Sequence, residues 1–172
     1  TTIGLGIRGR IQMNQLDELT SGVLYPFATW PHTAMPMSAA GVYSIWDSTG
    51  ILIYVGMSGR GMSNEHLTAS QSEGRKRGLY TRLHSHASGA RSGDQFCVYI
   101  ADRVVLPTLT EDQVKAISER TISYDHLVRS HIRAHLSYRF AVTHDGPEAT
   151  SLEREARSGA LGSLPFLNPL SI

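Results

Sequence analysis

Hydrophobic positions along the chain predict several short strands. Residues 42–46 and 51–55 are rich in β-branched and aromatic side chains, and the turn formers of residues 47–50 separate them. Two such runs joined by turn residues predict a β-hairpin. Residues 95–105 place Cys97 and Tyr99 on one strand face and Phe96, Val98 and Ile100 on the other, and residues 138–143 alternate in the same way. This period of two predicts two further strands.

Other segments have the spacing of helices. Residues 75–87 and 148–161 carry apolar side chains at helical intervals, and a short helix is predicted around residues 15–19. Thr110 is placed to cap a helical pattern that continues to about residue 136, as one helix or as two.

The order of these elements, β-β-α-β-α-β-α, predicts an α+β fold with a small, mostly antiparallel central sheet flanked by helices. We expect residues 38–172 to form this domain and residues 1–37, which contain three prolines, to be an N-terminal extension. The Gly- and Ser-rich residues 56–74 are too polar for a core and too long for an ordinary turn, so they predict a functional loop.

Composition fits one folded domain without a membrane-spanning segment. The chain has 172 residues, of which 41% are hydrophobic. Its apolar runs are far shorter than the ~20 residues that cross a bilayer, and its first residues lack the pattern of a signal peptide. One cysteine, Cys97, excludes an internal disulfide and fits a reducing compartment. We therefore expect a cytoplasmic protein with no membrane partner.

Charge is balanced overall but not locally. The net charge is +1, so a nucleic-acid partner cannot be inferred from it. Residues 57–91, however, carry six cationic residues against two acidic ones. Such a cluster could bind phosphate, and a solvated helix face explains it equally well. The cationic residues are Arg60, Arg75, Lys76, Arg77, Arg82 and Arg91.

Three other features have simpler explanations. Residues 4–9 match the dinucleotide-binding string G-x-G-x-x-G, but only three residues precede them, where a strand is required. His131 and His135 have the spacing of a metal-binding pair without an obvious third ligand. Cys97 has no hydrolase motif around it and is expected in the core.

Two half-motifs lie on the predicted hairpin. Gly41-Val-Tyr43 is on its first strand and Tyr54-Val-Gly56 on its second, with the tyrosines eleven positions apart. Arg82 and His86 follow on the next predicted helix, where a four-residue spacing brings both side chains to one face. Tyrosine and glycine are common in hairpins, so the half-motifs are informative only together with the elements that follow.

Two more elements complete the pattern. Leu152-Glu153 lies on a predicted helix directly after a strand, and Pro165-Phe-Leu-Asn168 follows near the end of the chain. Together, and in this order, these elements resemble the GIY-YIG nucleases over residues 41–168. The resemblance implies hydrolysis of the phosphodiester backbone of double-stranded DNA with one divalent cation, Mg²⁺ or Mn²⁺.

The resemblance also implies roles for the charged and amide side chains. Glu153 would bind the metal, Arg82 would contact the scissile phosphate, and Asn168 would brace the substrate-binding side of the site. On the residues alone, Glu153 could be a solvated helix carboxylate, and Glu155 competes for the same role. Many relatives carry a lysine after the second half-motif where this chain has Met57, so Arg60 is a candidate phosphate contact instead.

Proton transfer is assigned to Tyr43, Tyr54 and His86. Either tyrosine could instead be a packed strand aromatic. A tyrosine has a pKa of about 10, so it acts as a base only beside a metal or cationic groups. Whether Tyr43 or His86 is the general base is left open. Tyr43 is favoured, because the family pattern keeps a tyrosine there, whereas the second position varies between histidine and tyrosine.

Seventy-one residues separate Arg82 from Glu153, more than in the smallest relatives, which predicts an insertion over about residues 95–136. This insertion could bind DNA, mediate a homodimer or serve as scaffold. The function that we expect is a restriction-type endonuclease. The alternatives are an inactive nucleic-acid-binding module and an antibacterial nuclease toxin.

Overall fold

An antiparallel sheet forms the centre of the fold. The computed structural model describes residues 14–169, and within them the main strands pair in the order β1–β5–β2–β3, while β4 adds a short parallel pair beside β2. The α+β fold, the hairpin and the strand over residues 138–143 are confirmed. The strands are β1 (Tyr25–Pro26), β2 (Ser38–Asp47), β3 (Leu52–Ser58), β4 (Arg77–Gly78) and β5 (Leu136–Thr143).

Seven α-helices accompany this sheet within residues 14–169, and six of them have buried residues. A capping side chain precedes most of these helices. Thr110 forms a capping box with Gln113, which favours the start of a helix at this position. The pattern after Thr110 forms two helices. The helices are α1 (Gln15–Ser21), α2 (Asn64–Ser72), α3 (Leu79–Ser88), α4 (Gln95–Ile100), α5 (Glu111–Ser118), α6 (Tyr124–His135) and α7 (Gly146–Glu155), with π-helical turns at Ala101–Val105 and Ala156–Ala160.

The strand predicted over residues 95–105 is wrong, because this segment is helical. Asp94 accepts a hydrogen bond from the backbone N–H of Cys97 and so caps α4. The buried positions are Phe96, Cys97, Ile100, Ala101 and Val105, the spacing of one helical face. A short apolar run fits a strand or a helix equally well, and the aspartate before it was the missed helix signal.

The helix predicted over residues 75–87 begins later, and the predicted loop of residues 56–74 contains α2. Gly78 delays α3, because β4 first pairs with β2 and brings this glycine against the backbone of Ala39. A Cβ atom on Gly78 would lie 2.0 Å from the Ala39 carbonyl oxygen, and its φ of +63° also favours glycine.

The sheet is buried on both faces. On one face, Tyr43 and Ile45 of β2 belong to a core that includes residues of α3, α4 and α6. On the other face, Val42 packs in a second core with residues of α1 and α7. The segments α4 and α6, within the predicted insertion, therefore serve as scaffold for the first core, whereas α5 has no buried residue.

Residues ahead of β2 also belong to the packed fold. Leu19 of α1, Phe27 and Trp30 are buried. The glycine-rich residues 4–9 lie outside the described residues. Over residues 14–169, none of the helices combines the length and the apolar character needed to span a bilayer.

Candidate active site

The two motif tyrosines meet on one face of the hairpin. Tyr43 lies opposite Gly56 in the β2–β3 register, and the rings of Tyr43 and Tyr54 are stacked with centroids 6.4 Å apart. A Cβ atom on Gly56 would lie 2.3 Å from the Tyr43 hydroxyl oxygen. The glycine of the second half-motif therefore leaves the space that the tyrosine hydroxyl of the first one occupies.

Helix α3 brings His86 to this hydroxyl. The Nε2 atom of His86 lies 2.8 Å from Tyr43 Oη, and both side chains are buried. Phe96 of α4 packs against the rings of His86 and Tyr54, at 4.6 and 5.2 Å between centroids. Arg82, one turn earlier on α3, is exposed and lines the same cleft.

Asp94 holds the other side of the imidazole, and sequence reasoning missed it. Its Oδ2 atom lies 2.7 Å from His86 Nδ1 and accepts a second hydrogen bond, of 2.6 Å, from the hydroxyl of Ser85. Oδ1 accepts from the backbone N–H of Cys97. The only sequence signal for Asp94 was its place as a helix cap, which the strand prediction for residues 95–105 obscured.

The protonation states of this chain of groups follow from burial and hydrogen bonding. Burial raises the pKa of Tyr43 well above its usual value and lowers that of His86 despite the neighbouring Asp94. Burial would raise the pKa of Asp94, but its hydrogen bonds from His86, Ser85 and Cys97 lower it to about 2. At neutral pH, Tyr43 therefore donates to a neutral imidazole, whose Nδ1–H donates to the Asp94 carboxylate.

These groups line an open cleft of about 550 Å³ that also contains Tyr54, Arg60, Arg82 and Glu153. Burial raises the pKa of Glu153, and the charges of Arg157 and Arg60 partly oppose this shift. Arg157 is the nearest cation, with its Nη1 atom 3.9 Å from Glu153 Oε1. Glu155 is exposed and lies outside the cleft lining. Of the two glutamates considered as the metal ligand, Glu153 is therefore the one that lines the cleft.

Tyr54 has a different environment from Tyr43. It is only partly buried, and burial followed by the charge of Glu153 raises its pKa to about 12. Its hydroxyl is therefore protonated at neutral pH and can donate a hydrogen bond into the cleft.

Asn168 braces the site from outside this cleft. Its side-chain oxygen accepts from the backbone N–H of Val55, and its amide nitrogen donates to the carbonyl of Val55, both at 2.8 Å. Leu167 N–H also donates to the Ile53 carbonyl, so the end of the chain adds hydrogen bonds along β3. These contacts fit the predicted bracing role, and they use one of the two N–H groups of the Asn168 amide.

We expect Asn168→Ala to lower the free energy of unfolding by about 2–3 kcal/mol, because it leaves two buried backbone groups of Val55 without partners. Urea denaturation followed by circular dichroism measures the change. Asn64→Ala is the matched control, since Asn64 is exposed and donates one hydrogen bond to the carbonyl of His144. Equal stability losses for the two variants would contradict the bracing role.

Four further cationic or imidazole side chains lie outside the lining of this cleft. Arg91 is paired with Asp125 and lies outside the cleft lining. His84 accepts a hydrogen bond from the indole N–H of Trp30. The rings of His131 and His135 are in contact, tilted at 43° with their centroids 4.8 Å apart. Within residues 14–169, they do not belong to a group of three metal-binding side chains.

One such group does exist, formed by His86, Asp94 and Cys97. Its atoms already bond to protein partners: His86 to Tyr43 and Asp94, and the Cys97 thiol to the His86 carbonyl at 3.6 Å. Burial raises the pKa of Cys97, which disfavours the thiolate that a metal requires. We interpret this group as the support of His86 rather than as a metal site.

In comparisons with protein-family models, with curated proteins and with solved structures, none matches this chain.

Proposed function

We propose that this protein is a metal-dependent endonuclease of the GIY-YIG type that hydrolyses double-stranded DNA. The observation that supports the proposal best is the convergence of the five motif positions, far apart in sequence, on one open cleft. These positions are Tyr43, Tyr54, Arg82, His86 and Glu153. A packed structural role for all five is disfavoured, since Arg82 is exposed and Glu153 is half-buried facing the cleft.

Glu153 fits the binding of one Mg²⁺ or Mn²⁺ ion. The cleft has two carboxylates, and Asp94 is committed to His86, which leaves Glu153 with a single long contact to Arg157. Mg²⁺ is often bound by one or two carboxylates and keeps several waters, so one carboxylate beside open space is sufficient. When bound there, the ion would supply positive charge to the phosphate.

In this proposal, Tyr43 is the general base and His86 accepts the proton that Tyr43 releases. Both nitrogens of His86 are hydrogen-bonded, so its access to water is blocked, whereas Tyr43 lines the cleft and its hydroxyl oxygen retains acceptor capacity beyond its one hydrogen bond. As water attacks phosphorus, its proton passes to Tyr43 Oη and the Tyr43 proton passes to His86 Nε2. Asp94 stabilises the imidazolium that results.

The other cleft residues act on the phosphate. Arg82 neutralises its negative charge with a planar pair of donors, and the protonated Tyr54 hydroxyl donates a hydrogen bond. The P–O bond on the far side of phosphorus breaks, and the leaving oxygen takes a proton from solvent. The products are one strand end with a phosphate and one with a hydroxyl, and the imidazolium finally releases its proton to solvent.

Asp94 is a positioning residue in this mechanism, and we expect Asp94→Asn to lower the cleavage rate by about 10²–10⁴-fold. Asparagine still caps α4, but it removes the negative charge beside the imidazolium and can donate to Nδ1, which disfavours the productive tautomer. The acid limb of the rate–pH profile should move to lower pH, because the imidazolium loses its counter-charge.

Single-turnover rates across pH measure this effect, and DNA affinity reports whether the cleft is intact. Ser85→Ala is the control, because it removes one hydrogen bond from the same carboxylate and leaves the contact with His86. A rate for Asp94→Asn within a few-fold of wild type would exclude the positioning role.

Nicking of a supercoiled plasmid tests the proposed function. We expect nicked and linear products with Mg²⁺ or Mn²⁺, and none with a chelator in place of the metal. DNA binding without cleavage in any divalent metal would favour the alternative of an inactive nucleic-acid-binding module. A restriction-type role remains our first proposal, and protection of methylated DNA from cleavage would separate it from a toxin that cuts any DNA.

A further inference from the structure

The candidate active site is the middle of a longer trough. The cleft of this site adjoins a second cleft, with which it shares Gly78 and Thr81. The second cleft is lined by the consecutive cations of residues 75–77. Across Arg60 and Glu153 the cleft of the candidate active site adjoins a third, of about 570 Å³, on the side of α7. The three cations that line the second cleft, Arg75, Lys76 and Arg77, are called the first arm. The three that line the third cleft, Arg60, Arg154 and Arg157, are called the second arm.

Charge is strongly segregated into this trough. Among residues 14–169, it is lined by seven cationic side chains and two carboxylates, whereas seven cationic and thirteen acidic residues lie elsewhere. The two carboxylates are Asp94, which is bound to His86, and Glu153, the candidate metal ligand. A protein with a net charge near zero therefore presents one positive surface and a negative remainder, an arrangement that orients a polyanion towards the trough.

The first arm has donors that are available to a ligand. The Nε atom of Arg77 is buried without a hydrogen-bond partner among the described residues. Arg77 lines this cleft, and an unsatisfied buried donor is costly, so an acceptor that reached its Nε atom would offset that cost. Lys76 lies over the ring of Tyr80, 4.8 Å from its centroid. Arg75 pairs with Glu73 at the surface, a contact that solvent screens.

Two of the three cations of the second arm come from one helical turn next to Glu153. Arg157 follows Glu153 by four residues, and its guanidinium also donates to the carbonyl of Pro169 at 3.2 Å. Arg154 is exposed, with no carboxylate within 4.0 Å among residues 14–169. The two guanidiniums therefore line a cleft that borders the candidate active site at Arg60 and Glu153, whereas the cleft of the first arm borders it at Gly78 and Thr81.

We propose that the two arms hold backbone phosphates of duplex DNA on opposite sides of the scissile bond. This inference rests on the proposed function for the place of the cut. Guanidinium groups bind phosphate with two parallel hydrogen bonds, and contacts with the backbone fix the register of DNA without reading its sequence. Each strand end that cleavage produces would thus remain held by one arm.

The test is binding of a labelled 30-base-pair duplex at several salt concentrations, in a Glu153→Gln background that leaves the DNA uncut. One variant removes cations of the first arm, Arg75→Ala with Lys76→Ala, and another those of the second arm, Arg154→Ala with Arg157→Ala. The control pair, Lys115→Ala with Arg129→Ala, removes two cations that lie outside the trough.

Each lost phosphate contact reduces the slope of log K against log[salt] by about 0.9. We expect the full trough to give a slope of roughly −4 or steeper and each arm variant to lose about 2 from its magnitude, with weaker binding at low salt. The control pair should match the parent slope. Arm variants that keep the parent slope and affinity would overturn the inference.

The outcome is independent of the nicking assay. If wild-type protein fails to nick plasmid DNA but both arms change the salt slope, the trough is a DNA-binding surface and the proposed function is wrong. If wild-type protein cuts DNA and neither arm changes the slope, the nuclease proposal stands and the DNA follows another path.

Discussion

Glu153→Gln is expected to reduce the DNA cleavage rate at least ~10²-fold, by analogy with removal of one charge-stabilising group from an active site. The neutral amide has nearly the shape of the carboxylate but cannot act as an anionic ligand for Mg²⁺ or Mn²⁺. Since Glu153 is half-buried and its pKa is raised by burial, the neutral side chain is tolerated by its surroundings. Fold and DNA affinity should therefore persist.

Plasmid nicking over a range of metal concentrations measures this loss, and thermal melting checks the fold. Glu155→Gln is the matched control, because Glu155 lies two residues away on the same helix and is exposed. Near wild-type nicking by Glu153→Gln would remove the metal assignment, and a loss in Glu155→Gln instead would transfer it to that residue.

Tyr43→Phe is expected to lower the single-turnover cleavage rate by about 10²–10⁴-fold, the range typical of a general base. The substitution removes the hydroxyl that links water to His86 and leaves the ring packing largely unchanged. His86→Ala should have a comparable effect, because the proton from Tyr43 then has no acceptor. Tyr25→Phe, on β1 and outside the cleft, is the control for loss of a tyrosine hydroxyl.

The pH dependence distinguishes this relay from a tyrosine that acts alone. The relay requires neutral His86, and burial lowers the pKa of His86 below its usual value. Activity should thus persist on mild acidification and fall only below about pH 6.5 as the imidazole becomes protonated. A rate that instead keeps rising towards pH 10 would indicate a Tyr43 phenolate that acts without His86. Near-normal rates for Tyr43→Phe at saturating metal would exclude Tyr43 as the base.

The helix at residues 95–105 shows where local sequence becomes ambiguous. Its apolar run fits a buried strand as well as a helix, and in the fold this segment is a helix that packs against the face of the sheet that carries Tyr43. That choice has a direct consequence for the site. A helix that starts at Gln95 needs a cap, and the cap is the same Asp94 carboxylate that accepts the hydrogen bond from His86.

The basic surface gives a second example. Counting charges along residues 57–91 includes Arg91, which folding pairs with Asp125, and it omits Arg154 and Arg157, which lie almost eighty residues beyond Arg77. A linear cluster of charges is therefore a poor guide to a surface, because side chains of distant elements share one face only after the sheet and helices are assembled.

By itself, the sequence determined the features that depend on neighbouring residues: the hairpin of β2 and β3, the capping box at Thr110, and the shared helical face of Arg82 and His86. These follow from backbone geometry and local hydrogen bonds. Only the tertiary structure decided the contact of Tyr43 with His86, the support from Asp94, the bracing of Val55 by Asn168 and the position of Glu153, rather than Glu155, in the lining of the cleft. Each of these joins separate elements through burial and long-range hydrogen bonds, which the local pattern of residues does not encode.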